Sequence, residues 1–246
     1  MTSMSETVRD DRPLATEIKF LVAPDLGVQI REWSRRQMSP DPYASGPDGD
    51  TYQTTTLYQE TDALDVFNRR GSFGRSKYRV RRYGVSDVAF LERKMRTSER
   101  LAKRRTIVPL DEIARLCEPG TERHWAGAWF HRRLRARDLH PVCAIQYDRM
   151  ARVSMSVTGP LRMTIDERLR AWPVNDFTWA RPSADEVDVI GEHMVVELKY
   201  RISLPALFKQ LIETFNLPPG KFSKYRAAMP ALGLATVEDE TPCASC

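Results

Sequence analysis

Charged residues alternate with apolar ones in five short segments of this chain, and most of the charges are basic. The segments are Glu17-Ile18-Lys19-Phe20, Lys77-Tyr78-Arg79-Val80-Arg81, Phe90-Leu91-Glu92-Arg93-Lys94-Met95-Arg96, Arg162-Met163-Thr164-Ile165-Asp166-Glu167-Arg168 and Val196-Glu197-Leu198-Lys199-Tyr200. A period of two marks a strand, because successive side chains point to opposite faces of the sheet. Each segment therefore carries its charges on one face and its apolar groups on the other. Together such strands present a wall of cations with a few carboxylates among them. That combination suits a polyanion, and a hard divalent ion that bridges phosphate oxygens.

The elements that must hold these residues can be read along the chain. A first strand covers about Thr16 to Val22, and Pro24 and Asp25 open a helix with Leu26, Ile30 and Trp33 at helical spacing. Tyr52 to Gln59 reads as a strand. A short helical stretch from Ala63 to Asn68 leads to strands around Ser76–Tyr83 and Val88–Arg96, joined by a turn at Gly84-Val85-Ser86-Asp87. Lys103–Val108 is another strand. Short helices follow at Leu110–Cys117 and Ala126–Arg137, then strands at about Cys143–Val153, Leu161–Glu167 and His193–Tyr200. Ser203-Leu204-Pro205 caps an amphipathic helix bearing Leu207, Phe208, Leu211 and Phe215, and a last helix is expected from Lys221 to about Met229.

About eight strands with helices at intervals predict an α+β fold, an antiparallel eight-stranded barrel or strongly curved sheet covered by helices. The apolar faces (Phe20, Val22, Leu91, Met163, Ile165, Val196, Leu198) need that cover. The charged faces then line the lumen: Glu17 and Lys19; Lys77, Arg79 and Arg81; Glu92, Lys94 and Arg96; Tyr147 and Arg149; Arg162, Asp166 and Arg168; Glu197 and Lys199. Such a lumen makes sense only wet or filled by an anion, since unpaired buried charge is costly. The competing arrangement is an open sheet whose charged face meets solvent. Lys221 and Lys224, three apart, put two more cations on one face of the last helix.

The chain has 246 residues and a net charge of +5. That permits a phosphate, nucleic-acid or anionic-membrane partner without selecting one. No apolar run approaches the ~20 residues that span a bilayer, and Met1 to Pro13 has no apolar stretch of the kind that heads a secretory signal. The expectation is a soluble, cytoplasmic protein with a disordered leader (1–13), one domain (14–233) and a flexible acidic tail (234–246). Cys117 and Cys143 read as buried thiols. Cys243 and Cys246 form a CxxC at the extreme C-terminus without a second CxxC or a strand–helix context, which fits a flexible tail. His124, His131, His140 and His193 are scattered, without metal-ligand spacing.

In order along the chain, Glu17-Ile18-Lys19-Phe20, Thr56-Leu57-Tyr58-Gln59-Glu60-Thr61, Tyr78-Arg79-Val80-Arg81-Arg82-Tyr83-Gly84, Leu91-Glu92-Arg93-Lys94, Lys103-Arg104-Arg105, Tyr147-Asp148-Arg149, Arg162-Met163-Thr164-Ile165-Asp166, Val196-Glu197-Leu198-Lys199-Tyr200 and Lys221-Phe222-Ser223-Lys224-Tyr225 form a pattern. It resembles the catalytic domain of the vacuolar transporter chaperone (VTC) polyphosphate polymerases, within the triphosphate tunnel metalloenzyme superfamily, from about Thr16 to Met229. The resemblance implies a basic β tunnel that transfers the γ-phosphoryl group of ATP onto a growing polyphosphate chain with Mn²⁺ or Mg²⁺.

Carried over, Lys19, Arg79, Arg81, Lys94 and Arg149 act on the triphosphate and product chain. Glu197 holds the metal, while Lys221, Ser223 and Lys224 close one end. Tyr147, Arg162, Asp166, Glu92 and Lys199 are wall residues, several of them substrate-binding. Glu60 stands where the family usually has Asp, and no transmembrane or inositol-phosphate-sensing segment accompanies the domain, so coupling to transport would need a membrane-protein partner. The ExExK run of the triphosphatase and cyclase branch is replaced by Glu17-Ile18-Lys19-Phe20-Leu21, which favours the polymerase branch. Two rivals stand beside this reading. One is a tunnel hydrolase of inorganic or nucleoside triphosphate. The other is a non-catalytic polyanion-binding module, although nucleic acid is not the expected partner.

Overall fold

The alternating segments form strands, and their charged faces come together on the concave side of one curled sheet. The computed structural model describes residues 9–10, 15–42, 44, 49–96, 101–120, 123–181, 185–218 and 220–236. The long strands are β1 (Ala15–Val22), β2 (Thr51–Glu60), β3 (Arg75–Tyr83), β4 (Val88–Arg96), β5 (Leu101–Pro109), β6 (His140–Ser156), β7 (Gly159–Pro173) and β8 (Met194–Arg201). All pair antiparallel, in the order β5-β4-β3-β2-β6-β7-β8-β1. Two-residue strands at Arg9–Asp10, Ser39–Pro40 and Val187–Asp188 pair with β5, β6 and β7.

No ladder joins β5 to β1 among the described residues. The sheet nevertheless curls into a tunnel, because Lys94 on β4 reaches Glu17 on β1, at the far end of the strand order, at 2.7 Å. The free edge of β1 is met by an isolated bridge between Lys19 and Gly220. Among the described residues, no helix is long and apolar enough to cross a membrane.

The helices cover the apolar outer faces. α1 (Pro24–Gln37) and α4 (Ala206–Thr214) lie against β1, β7 and β8, where Ile30, Trp33, Phe208 and Leu211 pack with Phe20, Met163, Ile165, Val196 and Leu198. α1 starts with Pro24 and Asp25 and ends with Arg35 and Arg36, in keeping with its dipole. Gly27 lets it approach β8 closely, since a Cβ there would lie 2.4 Å from the Met194 sulfur. A second cluster joins Leu57, Val80, Leu91, Ile145 and Trp172 to a 3₁₀ helix at Leu110–Cys117 and to α2 (Asp65–Asn68), α3 (Ala128–Arg135) and α5 (Lys224–Ala231). The β3–β4 turn uses Gly84 at φ 50°, a left-handed conformation that glycine adopts freely.

Several expectations are corrected. The last helix starts at Lys224, not Lys221, because Ser223 is its N-cap and accepts from the Arg226 N–H at 3.3 Å. Lys221 therefore precedes the helix, is exposed, and shares no helical face with Lys224. The amphipathic helix begins after Pro205, with no side-chain cap from Ser203. Cys117 ends its 3₁₀ helix on the exposed side, while Cys143 on β6 is buried as expected. Of the leader, Arg9–Asp10 is a strand and 1–8 and 11–13 lie outside the described residues, as do 237–246 with Cys243 and Cys246.

Glu60 ties three parts of this scaffold together. Its fully buried carboxylate accepts from the N–H groups of Thr61 (2.9 Å), Val66 (2.8 Å) and Phe67 (2.7 Å), and from the Tyr225 hydroxyl of α5 (2.5 Å). Glu60→Ala strands several buried donors, and is expected to cost about 3 kcal/mol in urea unfolding against about 1 kcal/mol for Tyr225→Phe. A Glu60→Ala cost no larger than that of Tyr225→Phe would contradict this anchoring.

Candidate active site

The antiparallel registers bring the charged residues into rows. Across β3, β4 and β5, Arg79, Glu92 and Arg105 lie opposite one another, and so do Lys77, Lys94 and Lys103. Glu92, with no exposure, meets Arg79 at 2.6 Å, Arg105 at 2.9 Å and Lys103 at 3.0 Å. Burial opposes its ionisation, but Arg79, Arg81, Lys103 and Arg105 overcome that and hold its carboxyl well below the usual range. Burial also pulls Lys94 and Lys103 down to about 8, against the attraction of Glu17 and Glu92 respectively.

β1 and β8 supply a second network. Glu197 lies opposite Lys19 at 3.1 Å and also meets Lys199 at 2.8 Å. Lys199 reaches on to Glu17 at 3.4 Å. Glu17 is drawn down to about 2 despite its burial, chiefly by Lys199 and against the repulsion of Glu197. Glu197 is likewise held well below its usual value by Lys199 and Lys19 against burial. These two carboxylates bridged by one lysine are the place where a cation could sit. No cluster of three or more acidic, His or Cys ligands exists among the described residues. A divalent ion of the Mg²⁺ type takes one or two carboxylates and completes its shell with substrate phosphate and water, so the donors present fit such an ion.

β6 and β7 contribute a fork. Arg149 pairs with Asp166 through two contacts of 2.6 and 2.7 Å, and Lys224 of α5 meets the same carboxylate at 2.5 Å. Tyr147 lies beneath, its ring centroid 5.1 Å from the Arg149 guanidinium and 4.8 Å from the Lys224 ammonium. Asp166 is held at about 2, because Arg149 and Lys224 outweigh the effect of its burial. Arg81 is buried and donates to Thr56 at 3.1 Å. Ser223, the α5 cap, accepts from Lys77 at 2.7 Å. Tyr225 stacks on Tyr58 with centroids 4.9 Å apart, so α5 is tied to the tunnel at successive residues.

Of the residues singled out from the sequence, Lys19, Arg79, Arg81, Lys94, Arg149, Tyr147, Lys199, Glu197, Ser223 and Lys224 belong to this connected set. Arg162 is engaged instead with Asp41 and the Tyr52 hydroxyl, both at 2.9 Å. Arg168 is not in the lumen. The β6–β7 register shifts between Gln146 and Asp148, Arg168 has φ 52°, and its side chain is 70% exposed against Asp148. The Arg96 side chain lies outside the described residues. Lys103, Arg105 and Tyr58 were missed. Three consecutive cations, Lys103-Arg104-Arg105, conceal a period of two, and only the structure separates Arg104, which lies over the Trp129 ring at 4.2 Å.

Comparison with known proteins bears on this geometry. The VTC domain matches residues 14–232. No curated protein matches the chain. Among solved structures, a candidate adenylate cyclase from Bacillus halodurans superposes with a TM-score of 0.54 at 13% identity, covering 86% of this chain and 94% of that one. The candidate adenylyl cyclase HpAC1 from Hippeastrum, described as having a dominant triphosphatase activity, gives 0.52 at 16% identity, covering 87% and 94%. At such identities the likeness is one of fold. A curled antiparallel sheet with a cationic concave face, matched by the domain model over nearly its whole length, places the chain in the VTC-domain family, with a fold shared by these two solved structures.

Proposed function

We propose that this chain is an ATP-dependent polyphosphate polymerase working inside its tunnel. The observation that carries the reading is the charge imbalance of the lumen. Among the described residues, Lys19, Arg79, Arg81, Lys94, Lys103, Arg105, Arg149, Lys199 and Lys224 share only Glu17, Glu92, Asp166 and Glu197. A buried surplus of that size calls for a polyanion.

In the reaction, a terminal oxygen of the polyphosphate chain attacks the γ-phosphorus of ATP. The bond to the β-phosphate oxygen breaks, and its electron pair leaves with ADP. The attacking group is already an anion, so no general base is needed. What is needed is in-line positioning and fixed positive charge around the transferred group. Arg79, Arg81 and Arg149 offer forked N–H contacts to phosphate oxygens, and Lys19, Lys94 and Lys199 offer point charges. Glu92 and Asp166 hold Arg79 and Arg149 in place before substrate arrives, so little reorganisation accompanies the chemistry. Lys224, Ser223 and the preceding Lys221 guard the α5 end. Glu197, with Glu17 beside it, would hold Mn²⁺ or Mg²⁺, which neutralises phosphate charge when bound.

The direct test is to incubate the purified protein with ATP and Mn²⁺ and separate the products by size. Long phosphate chains with matching ADP support the polymerase. Release of free phosphate alone supports a tunnel hydrolase, the reading that HpAC1's described activity favours. Salt-sensitive polyphosphate binding without turnover leaves a binding module. Arg79→Ala and Lys94→Ala are each expected to lower the rate about 100-fold or more while circular dichroism stays native. Full activity in either variant removes that residue from the machinery. Glu197→Gln should abolish the dependence of rate on metal concentration along with most activity. A metal titration unchanged from wild type excludes Glu197 as a ligand.

A further inference from the structure

One lumen ammonium lacks the neutralisation the others receive. In the lysine row, Lys94 is answered by Glu17 at 2.7 Å and Lys103 by Glu92 at 3.0 Å. Lys77, directly opposite Lys94, meets no carboxylate among the described residues. Its polar contact is the uncharged Ser223 hydroxyl at 2.7 Å, which also caps α5. Like charges opposed across neighbouring strands repel. The charged groups that act on it most strongly are cations: Lys19 of β1, Lys94 of β4, Arg79 of its own strand and Arg69 just after α2, with Glu197 and Glu17 behind Lys19 and Lys94. On α5, the neighbours of Ser223 are Lys224, engaged with Asp166, and Arg226, engaged with the Phe67 carbonyl at 2.6 Å.

We propose that Lys77 is a ligand-contacting residue of the tunnel whose ammonium form is favoured when a polyphosphate anion enters, so that anion binding takes up protons. The proposal rests on the reading of the tunnel as a phosphate-polymer site and adds how that site is charged. Burial first, then Lys19, Lys94 and Arg79, push the Lys77 amine well below its ordinary value in the empty tunnel. The contact to Ser223 can be made by the ammonium and by the amine alike, because both donate an N–H. A phosphate oxygen arriving beside it reverses the local potential and favours the ammonium. The complex then holds more protons than the free partners, so affinity falls as pH rises.

The test is calorimetry of inorganic tripolyphosphate binding at about pH 7, with a chelator present and in buffers of different ionisation enthalpy. The dependence of heat on buffer gives the protons exchanged. Tripolyphosphate has its own titration, so the informative quantity is the difference between wild type, Lys77→Met and Lys77→Arg. Wild type is expected to take up measurably more protons per ligand than either variant. Lys77→Arg, permanently charged, should bind about as tightly as wild type without that extra uptake, whereas Lys77→Met should lose about 10-fold or more in affinity. A purely structural lysine would show the same proton count in all three. Equal counts with tight binding overturn the role of Lys77 alone. Absence of tripolyphosphate binding by the wild type overturns the tunnel reading and, with it, this proposal. Should Lys77→Met fail to fold, the arginine variant alone still decides the proton count.

Discussion

The structure depends on how a small number of carboxylates is shared among many buried cations. Glu92 answers Arg79, Lys103 and Arg105. Asp166 answers Arg149 and Lys224, and Glu17 and Glu197 divide Lys19, Lys94 and Lys199 between them. Every carboxylate thus serves two or more cations. Ion pairs of this kind do not make a stable interior by themselves, since desolvation consumes much of the Coulombic gain. Their effect is positional: guanidinium and ammonium groups stay oriented and partly unsatisfied, ready for an anion.

One of these pairs also spans the open side of the curled sheet. Hydrogen bonds do not close the tunnel between β5 and β1 among the described residues. The Lys94–Glu17 contact, the Lys19–Gly220 bridge and the seating of α5 bring its sides together. Scaffold and site therefore form together. Glu60 anchors Tyr225 at one end of α5's contact surface while Lys224 and Ser223 reach into the lumen, so the helix position reports on both the core and the charge network.

Much of this was legible because strand alternation is strict and a polar–apolar period of two fixes which face a residue takes. Glu17 with Lys19, Arg79 with Arg81, Glu92 with Lys94, and Glu197 with Lys199 all fall where the period puts them. The failures have local causes. A bulge in β6 and a left-handed residue at Arg168 turn one cation outward. Ser223 competes to cap α5, which leaves Lys221 outside the helix. Basic residues on both faces of β5 hide Lys103 and Arg105 behind Arg104. The pairing partners of each cation, which decide what remains unneutralised, depend on register between strands distant in sequence and have no single-strand signature.

The arrangement also bears on which polyanion fits. A nucleic-acid module binds single strands largely by stacking bases on exposed rings. Tyr78 is fully buried on the outer, apolar face of β3, and Tyr58 is covered by Tyr225. Tyr83 is hemmed in by Tyr52, Phe90 and the Arg105 guanidinium. Among the described residues, the lumen therefore offers rows of cations, and Tyr58, Tyr78 and Tyr83 are not open for stacking. Repeating rows of positive charge match a ligand whose repeat is charge alone. Under the proposed polymerase reading, a chain of identical phosphates would advance from one row to the next and meet the same chemistry each time.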